Sequence, residues 1–399
     1  MLVDLYDPET QEDWYPTYRH LRDSEPVYQI PGSSIYVLTR YEDVLYVLRH
    51  QDLFPTGTSL RRSDIAQKVY ESGGWKRMTP LSTNPPEHRR YRELVDHFFN
   101  GPGLDRRRQE IDDVIDNLIV GFEGDGAVEY VSRFAMPLPV RMITRILGFP
   151  EEDIERLKAW SEAWVLPFAG GLTPEQEVWV AEQVVEFYDY IAELIAEKRE
   201  EPADDVMSSL IEARFGGERP LADQEIITIL DHLFIGGNET TTFALTAALW
   251  ILLREDNLYE QVLNDRALVP VFIEEALRLE SPTQGLYRNV ARDVTIHGVE
   301  IPAGSTVHIR YAAANRDERT FQKPDSVDLD RANGRRHMAF SLGEHSCPGS
   351  GLSRLEQQMA LNAVLDRLPN LRLTEGRNDF RHHPGLVLRA LSELHLSWG

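Results

Sequence analysis

Cysteine is almost absent: Cys347 is the one thiol among 399 residues. That excludes an internal disulfide, a zinc finger and a cysteine-held iron–sulfur cluster. It leaves a buried structural thiol, a nucleophile, or a single thiolate ligand to a metal. Basic residues are outnumbered, with Lys plus Arg 42 against Asp plus Glu 65 and a formal charge of −23. So acidic a surface repels phosphate backbones, and no nucleic-acid partner is expected. Long apolar runs are missing too. The most apolar window, Phe243–Leu253, contains Thr246 and falls well short of the about 20 residues a bilayer demands. The start, Met1-Leu-Val-Asp-Leu-Tyr-Asp7, has neither the basic opening nor the apolar core of a signal peptide. The expectation is a soluble, cytoplasmic chain with no membrane contact.

What is present reads mostly as helix. Gln109–Val120 carries Ile111, Val114, Ile115, Leu118 and Ile119 at three-and-four spacing, and Glu177–Glu197 repeats the pattern with Val180, Val184, Phe187, Ile191 and Ile195. The stretch between Trp164 and Pro174 reads as a loop with apolar tips. A long helix is expected over Asp223–Arg254, with Asp223 as N-cap after Pro220. At about 1.5 Å per residue it would cross the whole molecule. Gly236-Gly237 in its middle costs about 1 kcal/mol per glycine relative to alanine, so the pair should serve packing or function. Strands cluster in pairs. Val27–Ile30 and Ile35–Thr39 flank a turn signal, and Val294–Ile296, Val299–Ile301 and Thr306–Arg310 form a second set. A last pair joins Leu371–Leu373 with Leu394–Trp398. The expected class is mainly α with small β-sheets, a single domain over 1–399. Its β-rich side takes about 27–40, 294–310 and 371–399; its helical side about 80–280 and 350–368.

The cysteine lies in Phe340-Ser-Leu-Gly343-Glu-His345-Ser-Cys347-Pro-Gly349, just ahead of a helix with Leu352, Leu355 and Met359 on one face. The positive end of a helix favours a thiolate. Gly343 and Gly349 allow the backbone to bend and approach closely. Phe-x-x-Gly-x-His-x-Cys-x-Gly resembles the haem-binding loop of the cytochromes P450, where a Cys thiolate ligates haem iron.

Three further motifs in matching order extend the resemblance over nearly the whole chain, from Asp7-Pro8 to the last strand pair. Gly236-Gly237-Asn238-Glu239-Thr240 is similar to the family's oxygen-activation segment. Gly236 and Thr240 share a helix face. By resemblance, Gly236 leaves room for dioxygen, the Thr240 hydroxyl hydrogen-bonds it and Glu239 brings protons in. Taken singly, the three would be a packing glycine, a surface acid and a core threonine. Glu275-Ala-Leu-Arg278 resembles a buried pair that an arginine downstream joins, here Arg331 after Phe321-x-x-Pro324, in a structural network holding the haem loop. His88, Arg92, Arg288 and His345 resemble a clamp on the haem propionates. Ser341 stands where bacterial relatives often have glycine, and Ser353 where alanine is common.

The resemblance implies a P450-like fold, with the long central helix over haem b and the Cys-loop below it. It implies a soluble bacterial type of monooxygenase with Cys347 on iron, a monomer supplied by a ferredoxin and ferredoxin reductase, which uses O2 on an apolar small molecule of terpenoid or steroid kind. The alternatives are a peroxide-using or rearranging enzyme, a haem-based gas sensor, or a helical hydrolase with a nucleophilic Cys347. By resemblance the pocket draws on Thr56–Thr79, Trp160–Leu172, Leu233, Thr283–Leu286 and Leu386-Val387, with Trp160, Trp164 and Phe168 as an apolar lid or as core. Arg89, Arg92 and Arg106-Arg107-Arg108 are expected to form a basic patch on the cysteine side, or a solvated helix end.

Overall fold

A computed structural model describes residues 3–57, 64–76 and 78–399. Its axis is the helix Asp223–Arg254, whose buried residues include Ile226, Leu230, Phe234, Leu245, Leu249 and Leu252. Apolar side chains on nearly every side mark a helix made for the interior. The N-cap is Ala222, not Asp223, which is the first helical residue. The capping falls to Glu225, whose carboxylate accepts the Ala222 N–H at 2.8 Å. Gly237 is a packing glycine: a Cβ there would come within 2.9 Å of Ile143 Cδ1. Gly236 differs, since its Cβ would meet nothing within 4 Å.

Around this axis pack Pro137–Leu147, Pro174–Glu200, Val269–Leu279 and Ser350–Arg367. The helix expected over Glu177–Glu197 is longer at its start, because Thr173 and Gln176 form a capping box ahead of Pro174. Before it, the Ile154–Val165 helix runs through Trp164, and Leu166–Ala169 adds a 3-10 turn where a loop was expected. The break comes at Gly170 and Gly171, both left-handed with φ of +82° and +71°.

The sheets depart most from expectation. Val27–Gln29, Ile35–Leu38, Thr306–Ile309 and Leu286–Asn289 lie side by side in that order. Ile35–Leu38 pairs in parallel with Thr306–Ile309, so the latter leaves the second set to join the first hairpin. Val294–Ile296 and Val299–Ile301 pair with each other. Leu286–Asn289, an unforeseen strand, runs antiparallel to Thr306–Ile309 and carries Arg288. The expected last pair forms as Arg372–Leu373 with His395–Ser397, and Ala127–Glu129 adds a third strand from inside the helical side. Alternation marks a strand but not a distant partner. Among the described residues no helix is long and apolar enough to cross a membrane.

Candidate active site

The loop Phe340–Gly349 is folded back on itself, with the Cys347 N–H donating to the Phe340 carbonyl at 2.9 Å. Gly343 is left-handed at φ +77°, and a Cβ there would come within 3.3 Å of the Leu48 carbonyl. Ser341 is also left-handed, at φ +58°, a conformation that costs an L-residue with a side chain. Its hydroxyl oxygen accepts the Tyr311 hydroxyl at 3.1 Å. Gly349 caps the helix Ser350–Arg367, so Cys347 sits just ahead of the positive helix end. Burial nonetheless pushes the thiol up, although the Gly349 N–H and the charges of Arg92 and Arg354 pull the other way. The helix end alone does not make a thiolate here. A cation at the sulfur would.

A cavity of about 440 Å³ separates this loop from the central helix. Phe340, His345, Cys347 and Gly349 line one side, and Gly236, Glu239 and Thr240 the other. Arg92 and Arg288 also line it. His88 is buried behind them, its ring 4.0 Å from that of His345. Burial and the adjacent charges of His88 and Arg288 push His345 down to about 3, and burial also lowers His88. Nε2 of both rings is buried and has no hydrogen-bond partner among the described residues. Arg92 spends two N–H groups, on Asp96 at 2.6 Å and the Ser346 carbonyl at 2.8 Å, and keeps the rest. Arg288 donates to the Tyr287 carbonyl at 2.8 Å. Two guanidinium groups, two orphaned ring nitrogens, one thiol and the open face of Gly236 fit a flat metal chelate with acidic side groups. Haem is such a group.

On the central helix, the Thr240 hydroxyl donates to the Gly236 carbonyl at 2.7 Å, which leaves its lone pairs for the cavity. Glu239 is raised by burial. It accepts from the Ser161 hydroxyl at 2.9 Å, and Asn238 Nδ2 donates to the same hydroxyl at 3.1 Å. Ser161 lies on the Ile154–Val165 helix, one turn before Trp164.

Glu275, Arg278 and Arg331 stand outside the cavity, within the structure that backs the loop. Glu275 accepts from Arg278 at 2.8 and 2.9 Å, from Arg331 Nε at 2.9 Å and from the Asp328 N–H at 3.0 Å. Although burial opposes it, these partners hold Glu275 below the usual carboxylate range. A second network escaped the sequence. Glu274 accepts from Arg354 at 2.6 and 3.0 Å and from His337 Nε2 at 2.8 Å. Burial opposes ionisation here as well, but His337 and Arg354 bring Glu274 down to about 2. The Ala339 N–H donates to His337 Nδ1, which assigns the proton to Nε2. Its one signal was Arg354, a turn into the helix behind the cysteine.

Of the expected pocket, Thr56, Thr79, Trp164, Phe168, Leu233, Thr283, Leu286 and Val387 line the cavity. Residues 58–63 and 77 lie outside the described residues. Trp160 does not join Trp164: it is buried against Phe187 and Tyr190, each with its ring 5.1 Å away, and is core. Leu386 is buried, and its N–H reaches the Phe168 carbonyl at 3.3 Å. The basic patch is also corrected. Arg107 is buried on Glu110, Arg92 is paired with Asp96, and Arg106 and Arg108 lie within 3.5 Å of Asp204 and Asp105. Arg89, with 68% of its side chain exposed, is the most open of the set, and it forks onto Glu344 at 2.7 and 2.9 Å.

The family model described as Cytochrome P450 matches residues 172–392. The chain is 33% identical over 398 residues to cytochrome P450 107B1 of Saccharopolyspora erythraea, covering 98% of this chain and 96% of that protein. It is 34% identical over 387 residues to a mycinamicin IV hydroxylase/epoxidase of Micromonospora griseorubida, covering 96% and 94%. Among solved structures it is similar to P450BioI in complex with a fatty-acyl-ligated acyl carrier protein, with TM-score 0.89, 30% identity and coverage of 98% and 99%. CYP109E1 of Bacillus megaterium in complex with testosterone matches with TM-score 0.87, 28% identity and coverage of 98% and 100%.

Proposed function

This chain belongs to the cytochrome P450 family of haem-thiolate monooxygenases, and from that premise we propose which of its residues carry the reaction and on what kind of substrate. Cys347 ligates the iron. His88, Arg92, Arg288 and His345 hold the propionates, and Phe340 and Gly349 shape the loop against the ring. When bound, the haem activates O2, one atom of which enters the substrate while the other is reduced to water.

The protein's share is orientation and protons. Gly236 keeps the helix face open where dioxygen must fit. Thr240 Oγ1 offers a hydrogen-bonding oxygen to that space, and Glu239, kept protonated more readily than an exposed carboxyl, delivers protons from the side where it meets Ser161. The observation that carries the proposal is the placement of Cys347 and of Gly236, Glu239 and Thr240 on opposite walls of one cavity. The test is spectral. The reduced protein with carbon monoxide should show the strongly red-shifted Soret band of thiolate-ligated haem, and Cys347→Ser should lose it. A histidine-type band in fresh protein would overturn the assignment.

The substrate is proposed to be apolar and of terpenoid or steroid size. Trp164, Phe168, Leu233, Leu286 and Val387 supply apolar walls, and the similar CYP109E1 accommodates testosterone. Electrons are proposed to arrive from a ferredoxin and its reductase on the cysteine side, at Arg89. Because Arg89 shares its charge with Glu344, steering should be weak and short-ranged. Arg89→Glu should slow reduction at low salt, and the difference should vanish as salt is raised. An unchanged rate at low salt would remove Arg89 from the docking surface.

A further inference from the structure

Thr240, Thr241 and Thr242 stand in a row on the central helix, yet their hydroxyls do different things. Thr240 donates to the Gly236 carbonyl at 2.7 Å and Thr242 to the Asn238 carbonyl at 3.2 Å, each four residues back in its own helix. Such back-bonding competes with the helix ladder and bends it. The same turn holds Gly236 and Gly237, which add backbone freedom where the helix borders the cavity. The glycine pair and the back-bonding together soften the part of the helix that carries Thr240.

Thr241 alone of the three reaches out. Its side chain is buried, and its hydroxyl donates to Ser353 Oγ at 3.2 Å. Ser353 lies on the opposite wall, in the first turns of the helix behind Cys347, where its N–H donates to the Gly349 carbonyl at 2.9 Å. Gln357, one turn on and fully buried, donates Nε2 to the Ser353 carbonyl at 3.1 Å and to Ser353 Oγ at 3.2 Å. Its Oε1 is buried with no partner among the described residues. An amide half-satisfied in the interior is costly, so its remaining bonds to Ser353 are hard to replace.

We propose that Thr241, Ser353 and Gln357 form a clamp that fixes the rotation of the glycine-softened helix against the cysteine-bearing wall, and so act as positioning residues for Thr240. The proposal rests on the role given to Thr240 above. The clamp joins the two walls of the cavity, so loosening it lets the Thr240 face turn relative to the wall that bears Cys347.

The experiment uses the holoenzyme and two readouts: the vibrational C–O stretching band of the ferrous carbon monoxide complex, and product formed per reductant consumed. Thr241→Val and Ser353→Ala should each broaden or shift the band and lower product per reductant by about two- to tenfold, the scale of one buried neutral hydrogen bond. Thr241→Ser keeps the hydroxyl and should keep the parent band. The Thr241→Val/Ser353→Ala double variant should be no worse than Ser353→Ala alone, since that substitution already removes the Thr241 contact. A merely structural pair would lower thermal stability and leave band and ratio unchanged, and that result overturns the proposal. If Ser353→Ala gives no holoprotein, the contrast between Thr241→Val and Thr241→Ser decides alone. Thr240→Ala separates the two readings: product per reductant intact there overturns the role of Thr240, while the band still reports whether the clamp exists.

Discussion

Glu239→Gln is expected to slow product formation by about 10²–10⁴-fold, the usual loss when a positioned proton donor is removed. The side chain keeps its shape and its hydrogen bond from Ser161, so folding and haem uptake should be normal. Only the proton is gone, and heavy water should slow the variant further. Burial raises the Glu239 carboxyl, so in the parent the donor form persists above the usual carboxylate range and declines as pH rises through its own pKa. The rate should fall with it, and that limb should be missing in Glu239→Gln. Thr240→Ala should behave differently. Reduction and O2 uptake continue, but protons arrive without the hydroxyl to place them, so hydrogen peroxide rises as product falls. Product, peroxide and reductant measured together in both variants check this; unchanged coupling in Thr240→Ala removes its assigned role.

Glu275→Ala should yield little holoprotein. Glu275 is the shared acceptor of Arg278 and Arg331, whose side chains are 0% and 3% exposed. Without it two guanidinium charges stay buried with backbone carbonyls alone, and breaking such a pair costs about 3–5 kcal/mol. The Asp328 N–H also loses its acceptor, so the segment that carries Arg331 loosens. The network contributes fully above the ordinary carboxylate range, because Glu275 is depressed when folded, and its contribution is lost as pH falls through the lowered value. Thermal unfolding against pH should therefore show an acid-dependent loss in the parent that Glu275→Ala has already suffered. Parental stability and haem content in the variant would make the pair dispensable.

Legibility followed the range of the physics. Cys347 stood out because its setting is local: a glycine-bounded turn, a helix start and the chain's one thiol. The central helix could be read because apolar residues recur from Ile226 to Ile235 and again from Phe243 to Leu253, with only Gly236–Thr242 between them. Ser161 could not. It meets Glu239 and Asn238 from a different helix, 77 residues before Asn238, and no pattern near it announces the contact. Trp160 and Trp164, expected together as lid or core, part company for a subtler reason: Trp164 lines the cavity and Trp160 is core. They lie one turn apart on one helix, and that single turn carries the side chain from the aromatic core at Phe187 to the cavity wall. Arg288 was singled out as a cation, but the strand that aims it was not, because Leu286–Asn289 is a strand only through its pairing with Thr306–Ile309, and nothing local announces that partner.

That parallel pairing also bears on how the chain is made. Ile35–Leu38 waits for Thr306–Ile309, and Ala127–Glu129 waits for His395–Ser397. Such distant partners raise contact order and slow folding, since a large loop must close before the pairing rewards it. During synthesis the helices form early, while strand edges near the start stay open until the ribosome has added almost everything else. Unpaired edges are templates for other chains. Overexpression should therefore favour aggregates over holoprotein unless growth is slowed, and the early hairpin is where a nascent chain is most exposed to its neighbours.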